Sequence, residues 1–137
     1  MRFMLNAFTT QNSDASVPPN PKLAPAIGKL AEELSEAGVL LAMAGLAPTS
    51  KGARIKLSGG EVTVTDGPFT ETKEVIGGAW IVEVDSKEDA IDLAKRIWRI
   101  FAEVYGPSYA GEGEVRELSA WVNFEAPDQS TGQECSG

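Results

Sequence analysis

The ten residues Thr65-Asp66-Gly67-Pro68-Phe69-Thr70-Glu71-Thr72-Lys73-Glu74 bring three carboxylates, one ammonium and one aromatic ring into a single short segment. Asp66 is the member whose local role is hardest to satisfy. An aspartate at a turn usually accepts a hydrogen bond from the backbone N–H two residues on, but that residue here is Pro68, which has none. Gly67, standing before proline, is biased toward extended backbone, so Asp66 is expected at the end of a strand. Two roles are open to it there. In a cavity, burial would raise its pKa toward that of a general base; against backbone donors it would lock the turn. Glu71, Lys73 and Glu74 could join it in a polar site or form a solvated turn. Three carboxylates could hold Mg²⁺, but nothing fixes their geometry, and neither a metal nor another cofactor is expected.

The chain has no histidine and one cysteine, Cys135. That removes Ser-His-Asp and Cys-His catalysis, imidazole bases and the usual zinc sites, and leaves carboxylates, Lys, Arg, hydroxyls and the pair Tyr105 and Tyr109 as candidate acids. Twenty acidic against twelve basic side chains give a net charge of −8, which repels phosphate backbones, so no nucleic-acid partner is expected. No apolar run approaches a membrane span and no basic, apolar leader precedes Phe3; a cytoplasmic protein with no membrane partner is expected.

The elements that must position these groups follow from periodicity. A strand over residues 2–8 is apolar on both parities, with Phe3, Leu5 and Ala7 opposing Met4 and Phe8. Residues 9–23 read as a proline-rich connection that is either a mobile flap or a packed functional loop. A helix from about Ala24, marked by Ile27, Leu30 and Leu34, stops at Gly38. Strands are expected over residues 39–46, 53–58, 61–66 and 78–84. Ser86 and Asp89 have capping-box spacing and open a helix with Ala90, Ile91, Ala94, Ile97, Trp98, Phe101, Val104 and Tyr105 on its apolar stripe, ended by Gly106-Pro107. A last strand is expected over residues 115–124, and residues 125–137 read as a disordered tail beyond a single domain of residues 1–124.

Gly59-Gly60 predicts a two-residue hairpin in which Ala53 faces Asp66 and Leu57 faces Val62. Parity then places Asp66 on the side of Ile55, Leu57, Val62 and Val64, with Arg54, Lys56, Thr63, Thr65 and Glu61 opposite. Strand, helix, strands, helix, strand is the order of an α+β, ferredoxin-like antiparallel sheet with two helices on one face. The doubly apolar first strand leaves the other face needing cover, and a second copy is the simplest cover.

The segment Asp66-Gly67-Pro68-Phe69 resembles the signature of the YCII-related, or DGPF, family. The resemblance extends to Ser50-Lys51-Gly52-Ala53-Arg54, Thr63-Val64-Thr65, Glu74-Val75-Ile76-Gly77-Gly78 and Val84-Asp85-Ser86-Lys87-Glu88-Asp89-Ala90, covering roughly residues 1–98. It implies a homodimer whose sheets face each other as a dimeric α/β barrel, and a His-Asp pair in a cleft between subunits, with Asp66 as the Asp. The chain departs from that pattern: Ala44 and Ala47 flank Gly45-Leu46 where relatives often carry an acid and a histidine, and Ala79 replaces a common aromatic. These departures imply a roomier, more apolar pocket without the family's histidine. The second helix also runs past the family's usual length.

Two functions follow. One is a homodimer binding a small organic ligand in an apolar cleft beside the catalytic candidate Asp66, with Phe69, Lys73, Glu74, Trp80, Ala44 and Ala47 as ligand-binding candidates and isomerase, lyase or cyclase chemistry in reach. The other is a non-catalytic regulatory or interaction protein associated with an extracytoplasmic-function sigma factor, the kind of protein beside which the family's genes are often found.

Overall fold

The structure, a computed structural model, describes residues 1–9, 20–67 and 75–121. Its order is β1 (Arg2–Thr9), α1 (Leu23–Glu36), β2 (Leu40–Gly45), a short 3₁₀ turn (Thr49–Lys51), β3 (Ala53–Ser58), β4 (Glu61–Asp66), β5 (Val75–Glu83), α2 (Lys87–Tyr105) and β6 (Glu112–Glu117). Four strands form one antiparallel sheet in the order β2-β5-β1-β6. With two helices this is an α+β, ferredoxin-like arrangement.

The core lies where α1 and α2 meet one face of that sheet. Phe3 and Leu5 from β1, Trp80 and Val82 from β5, Leu30 and Leu34 from α1, and Ala90, Leu93 and Ile97 from α2 are all buried. Phe3 and Val82 are closed to water completely enough that each contributes about 2 kcal/mol of transfer free energy. The expected caps form. Ser86 Oγ accepts from the Asp89 N–H at 3.1 Å, and Gly38 and Gly106 take the left-handed conformations that end the two helices. Leu93 and Ile100 also join this face, beyond the stripe read from the sequence.

Two boundaries and one strand pairing differ from expectation. β5 begins at Val75 rather than Gly78 because β1 runs to Thr9 and pairs with it there, across a bulge between Ala7 and Phe8. β6 is Glu112–Glu117 rather than residues 115–124. It runs antiparallel to β1, Glu117 faces Phe3, and the Leu118 N–H bonds the Arg2 carbonyl at 2.8 Å, where β1 starts. Trp121 therefore lies past the strand, where the Arg2 guanidinium sits 5.0 Å over its ring. The third difference is topological. β3 and β4 hydrogen-bond only to each other among the described strands, forming a two-stranded ribbon outside the main sheet.

Within that ribbon the register is as read from Gly59-Gly60, from Ala53↔Asp66 to Ser58↔Glu61, with both glycines at positive φ. Every ribbon side chain is exposed. Among the described residues no helix is long and apolar enough to cross a membrane. The 10–19 segment and the 122–137 tail lie outside the described residues, as does residue 68–74 of the signature.

Candidate functional site

Antiparallel pairing aligns one row of side chains across all four strands of the main sheet: Met43 beside Trp80, Trp80 beside Leu5, Leu5 beside Val115. Side chains alternate along a strand, so the row two residues on faces the same way. That next row is Gly45, Gly78, Ala7 and Gly113. It presents almost no side chain, and the helices that pack on the first row leave space above the second. The result is a cavity of about 440 Å³ between sheet and helices, within the usual range for small-molecule sites.

Leu23, Ala24 and Ile27 of α1 and Ala94, Ile97, Trp98 and Phe101 of α2 roof it, with Tyr109 from the segment after α2. The Trp98 ring is seated by glycine. A Cβ at Gly111 would overlap the indole, and one at Gly113 would press on it at 3.2 Å. From Trp98 the aromatic wall continues to Phe101 at 5.5 Å between centroids, then to Tyr109 at 6.0 Å, with Tyr105 4.8 Å from Tyr109. Asn20 ties the start of α1 to the end of α2. Its Nδ2 donates to the Val104 carbonyl at 3.3 Å, while its Oδ1 accepts from the Lys22 N–H at 2.9 Å.

The ionisable residues on the described lining are Tyr109 and Glu114, and Glu114, next to Val115 and paired with Asn6, turns its side chain to the face away from Leu5. Burial, and secondarily Tyr105 beside it, pushes the Tyr109 phenol above its ordinary 10.0. A raised folded-state pKa means that the folded protein holds this proton more tightly than the unfolded chain. The contribution is complete below about pH 10 and is lost as pH rises through the raised value. Wild type is accordingly expected to lose more stability than Tyr109→Phe above pH 10 in urea melts; parallel alkaline profiles would count against this.

The sequence candidates divide. Trp80 and Ala44 line the cavity; Asp66 and Ala47 are exposed and are not among its described lining residues. Asp66 stands at the end of β4 opposite Ala53. Phe69, Lys73 and Glu74 lie outside the described residues, as does Glu71. The signature's Gly67 has a packing reason: a Cβ there would overlap the Thr49 carbonyl, and its N–H bonds the Gly52 carbonyl at 2.9 Å, closing the ribbon base. Asn6 borders the cavity, but alternation turns its side chain to the face away from Leu5, and its Oδ1 is buried without a hydrogen-bond partner among the described residues.

The helical wall was legible mainly as core, with Trp98 a core or dimer contact first and a pocket wall second, and Gly45 and Gly113 drew no notice as site residues. A signal was present. Each of the four strands carries a small residue two positions from a large apolar one: Leu5 and Ala7, Met43 and Gly45, Gly78 and Trp80, Gly113 and Val115.

A ferredoxin-like sandwich with a ligand-sized apolar cavity under its helices is the class that fold and site define. The chain belongs to the YCII-related domain family, which it matches over residues 1–121. The match therefore includes the extended α2 and β6, beyond the 1–98 span of the resemblance. It is also 38% identical over 92 residues to an uncharacterized protein of Rhizobium meliloti (strain 1021), an alignment covering 67% of this chain and 69% of that one.

Proposed function

We propose that this YCII-family protein is a homodimer that binds a small, largely apolar molecule in the cavity beneath α1 and α2. The observation that carries the binding reading is the side-chain-free row Gly45, Gly78, Ala7 and Gly113 under an apolar roof, since close packing normally fills such space. Tyr109 supplies a hydrogen-bonding hydroxyl, and the described lining offers no nucleophile with an adjacent base, so binding is the activity this lining supports without further groups.

The dimer reading rests on the ribbon. Ile55, Leu57, Val62 and Val64 share one face and are 69%, 71%, 64% and 64% exposed, and the main sheet's outer face adds Ile76 and Leu41 with half-buried Met4 and Phe8. Apolar surface of this extent on one chain calls for cover, and a two-fold second copy offers each face to the other. The unpartnered Asn6 Oδ1 lies on that outer face and would gain a donor there. Asp66, exposed in one chain, would be enclosed only by such a partner, which is where a role in a shared cleft would arise. The ribbon would equally suit a protein partner, as the sigma-factor reading requires; a wild-type chain that sediments as a monomer would favour that reading.

Binding is tested with the neutral fluorescent probe N-phenylnaphthylamine. One saturable site per chain is expected, weakened at least about tenfold by Ala94→Trp, whose ring would occupy the cavity. Gly45→Leu gives a second block, because a Cβ at Gly45 meets nothing within 4 Å. Undiminished probe binding in both folded variants would overturn the assignment.

A further inference from the structure

We infer that the ligand of this cavity is a flat, neutral aromatic molecule bearing an oxygen that accepts a hydrogen bond, an inference that rests on the cavity being the binding site. Shape comes first. The floor is peptide backbone at Gly45, Gly78 and Gly113 with one methyl at Ala7, a surface that matches a ring system lying flat and makes fewer contacts with a puckered one. The wall agrees with the floor. The planes of Phe101 and Tyr109 lie within 19° of each other, and Trp98 is held in place by Gly111 and Gly113, so ring stacking against this wall costs little ordering.

Charge narrows the class. No Lys or Arg is among the described lining residues, and Glu114, paired with Asn6, is turned with it to the other face of the sheet. A carboxylate or phosphate ligand would lose hydration without gaining a counter-charge. The hydrogen-bonding complement then follows from the described polar side chains, among which the Trp80 and Trp98 indoles and the Tyr109 phenol are donors. Asn20 already uses its amide on Val104 and Lys22, and Asn6 is turned to the other face of the sheet. Tyr109 carries the one hydroxyl on the described lining, a phenol that is protonated at neutral pH and so can donate. A carbonyl or ether oxygen on the ligand is its complement.

Calorimetry at neutral pH with four probes of one size separates these requirements: acetylnaphthalene, ethylnaphthalene, naphthoate and saturated acetyldecalin. Acetylnaphthalene is expected to bind at least about tenfold more tightly than each of the others, and Tyr109→Phe is expected to erase most of its advantage over ethylnaphthalene. Reading a ratio between two ligands makes the result independent of any general loosening of the variant. Equal affinity for naphthoate or acetyldecalin, or an acetylnaphthalene preference that survives Tyr109→Phe, overturns the inference while leaving the cavity assignment intact if Ala94→Trp still blocks phenylnaphthylamine. Failure of all four probes overturns the inference as well, and the cavity assignment falls with it only if phenylnaphthylamine binding is also insensitive to Ala94→Trp and Gly45→Leu.

Discussion

Gly113→Ala is expected to destabilise the protein by about 3 kcal/mol, read as a lowered urea midpoint. The added Cβ would overlap the backbone carbonyl of Asn6 on the neighbouring strand and press on the Trp98 ring. A side chain could rotate away, but a paired carbonyl cannot. Relief requires β6 to move from β1, which strains the ladder from Phe3↔Glu117 to Phe8↔Glu112, and also unseats the indole that walls the cavity. Gly45→Ala is the control in the same row. Its Cβ would meet nothing within 4 Å, so a change within about 1 kcal/mol is expected. Equal tolerance at the two positions would mean that β6 does not pair with β1 in this register.

The second large effect is on assembly. Leu57→Glu combined with Val62→Lys is expected to convert the dimer to a monomer at micromolar concentration in sedimentation velocity, with the melting of the chain itself little changed. Leu57 and Val62 face each other across the ribbon, so the opposite charges preserve a favourable cross-strand pair and the hairpin is kept. Each wild-type side chain is about two-thirds exposed or more in one chain, leaving roughly 1–2 kcal/mol to be gained on burial. In a two-fold interface every substitution acts twice, so the pair removes on the order of 4 kcal/mol or more and weakens association about a thousandfold. An unchanged sedimentation coefficient in the double variant would remove the ribbon from the interface, and a monomeric wild type would remove the dimer.

These two experiments address the two surfaces that a dimeric barrel would combine. In the proposed dimer the ribbon and the outer sheet face would set the assembly, whereas the glycine row and the aromatic wall would set the site. Asp66 stands at the exposed end of the ribbon, away from the described cavity lining, so any contribution from it is expected to depend on the second copy.

Features dictated by neighbouring residues were legible in the sequence. Gly59-Gly60 with alternating Ile55, Leu57, Val62 and Val64 determines the hairpin and its register, because a two-residue turn permits one pairing. Ser86 with Asp89 determines the start of α2, and the helical recurrence of Leu30 and Leu34 determines which side of α1 is buried. The family, too, could be recognised from Asp66-Gly67-Pro68-Phe69 and its flanks. Strand ends were harder: β6 stops opposite the start of β1, a limit set by a partner more than a hundred residues away in the chain. The separation of β3 and β4 from the main sheet likewise depends on what each strand pairs with. The cavity belongs wholly to this second kind. Ala7, Gly45, Gly78 and Gly113 are unremarkable singly, and no local periodicity relates them. Only the β2-β5-β1-β6 pairing sets them in one row beneath Trp98 and Phe101, because a void arises from the coincidence of small residues on different strands, and that coincidence is a property of long-range register.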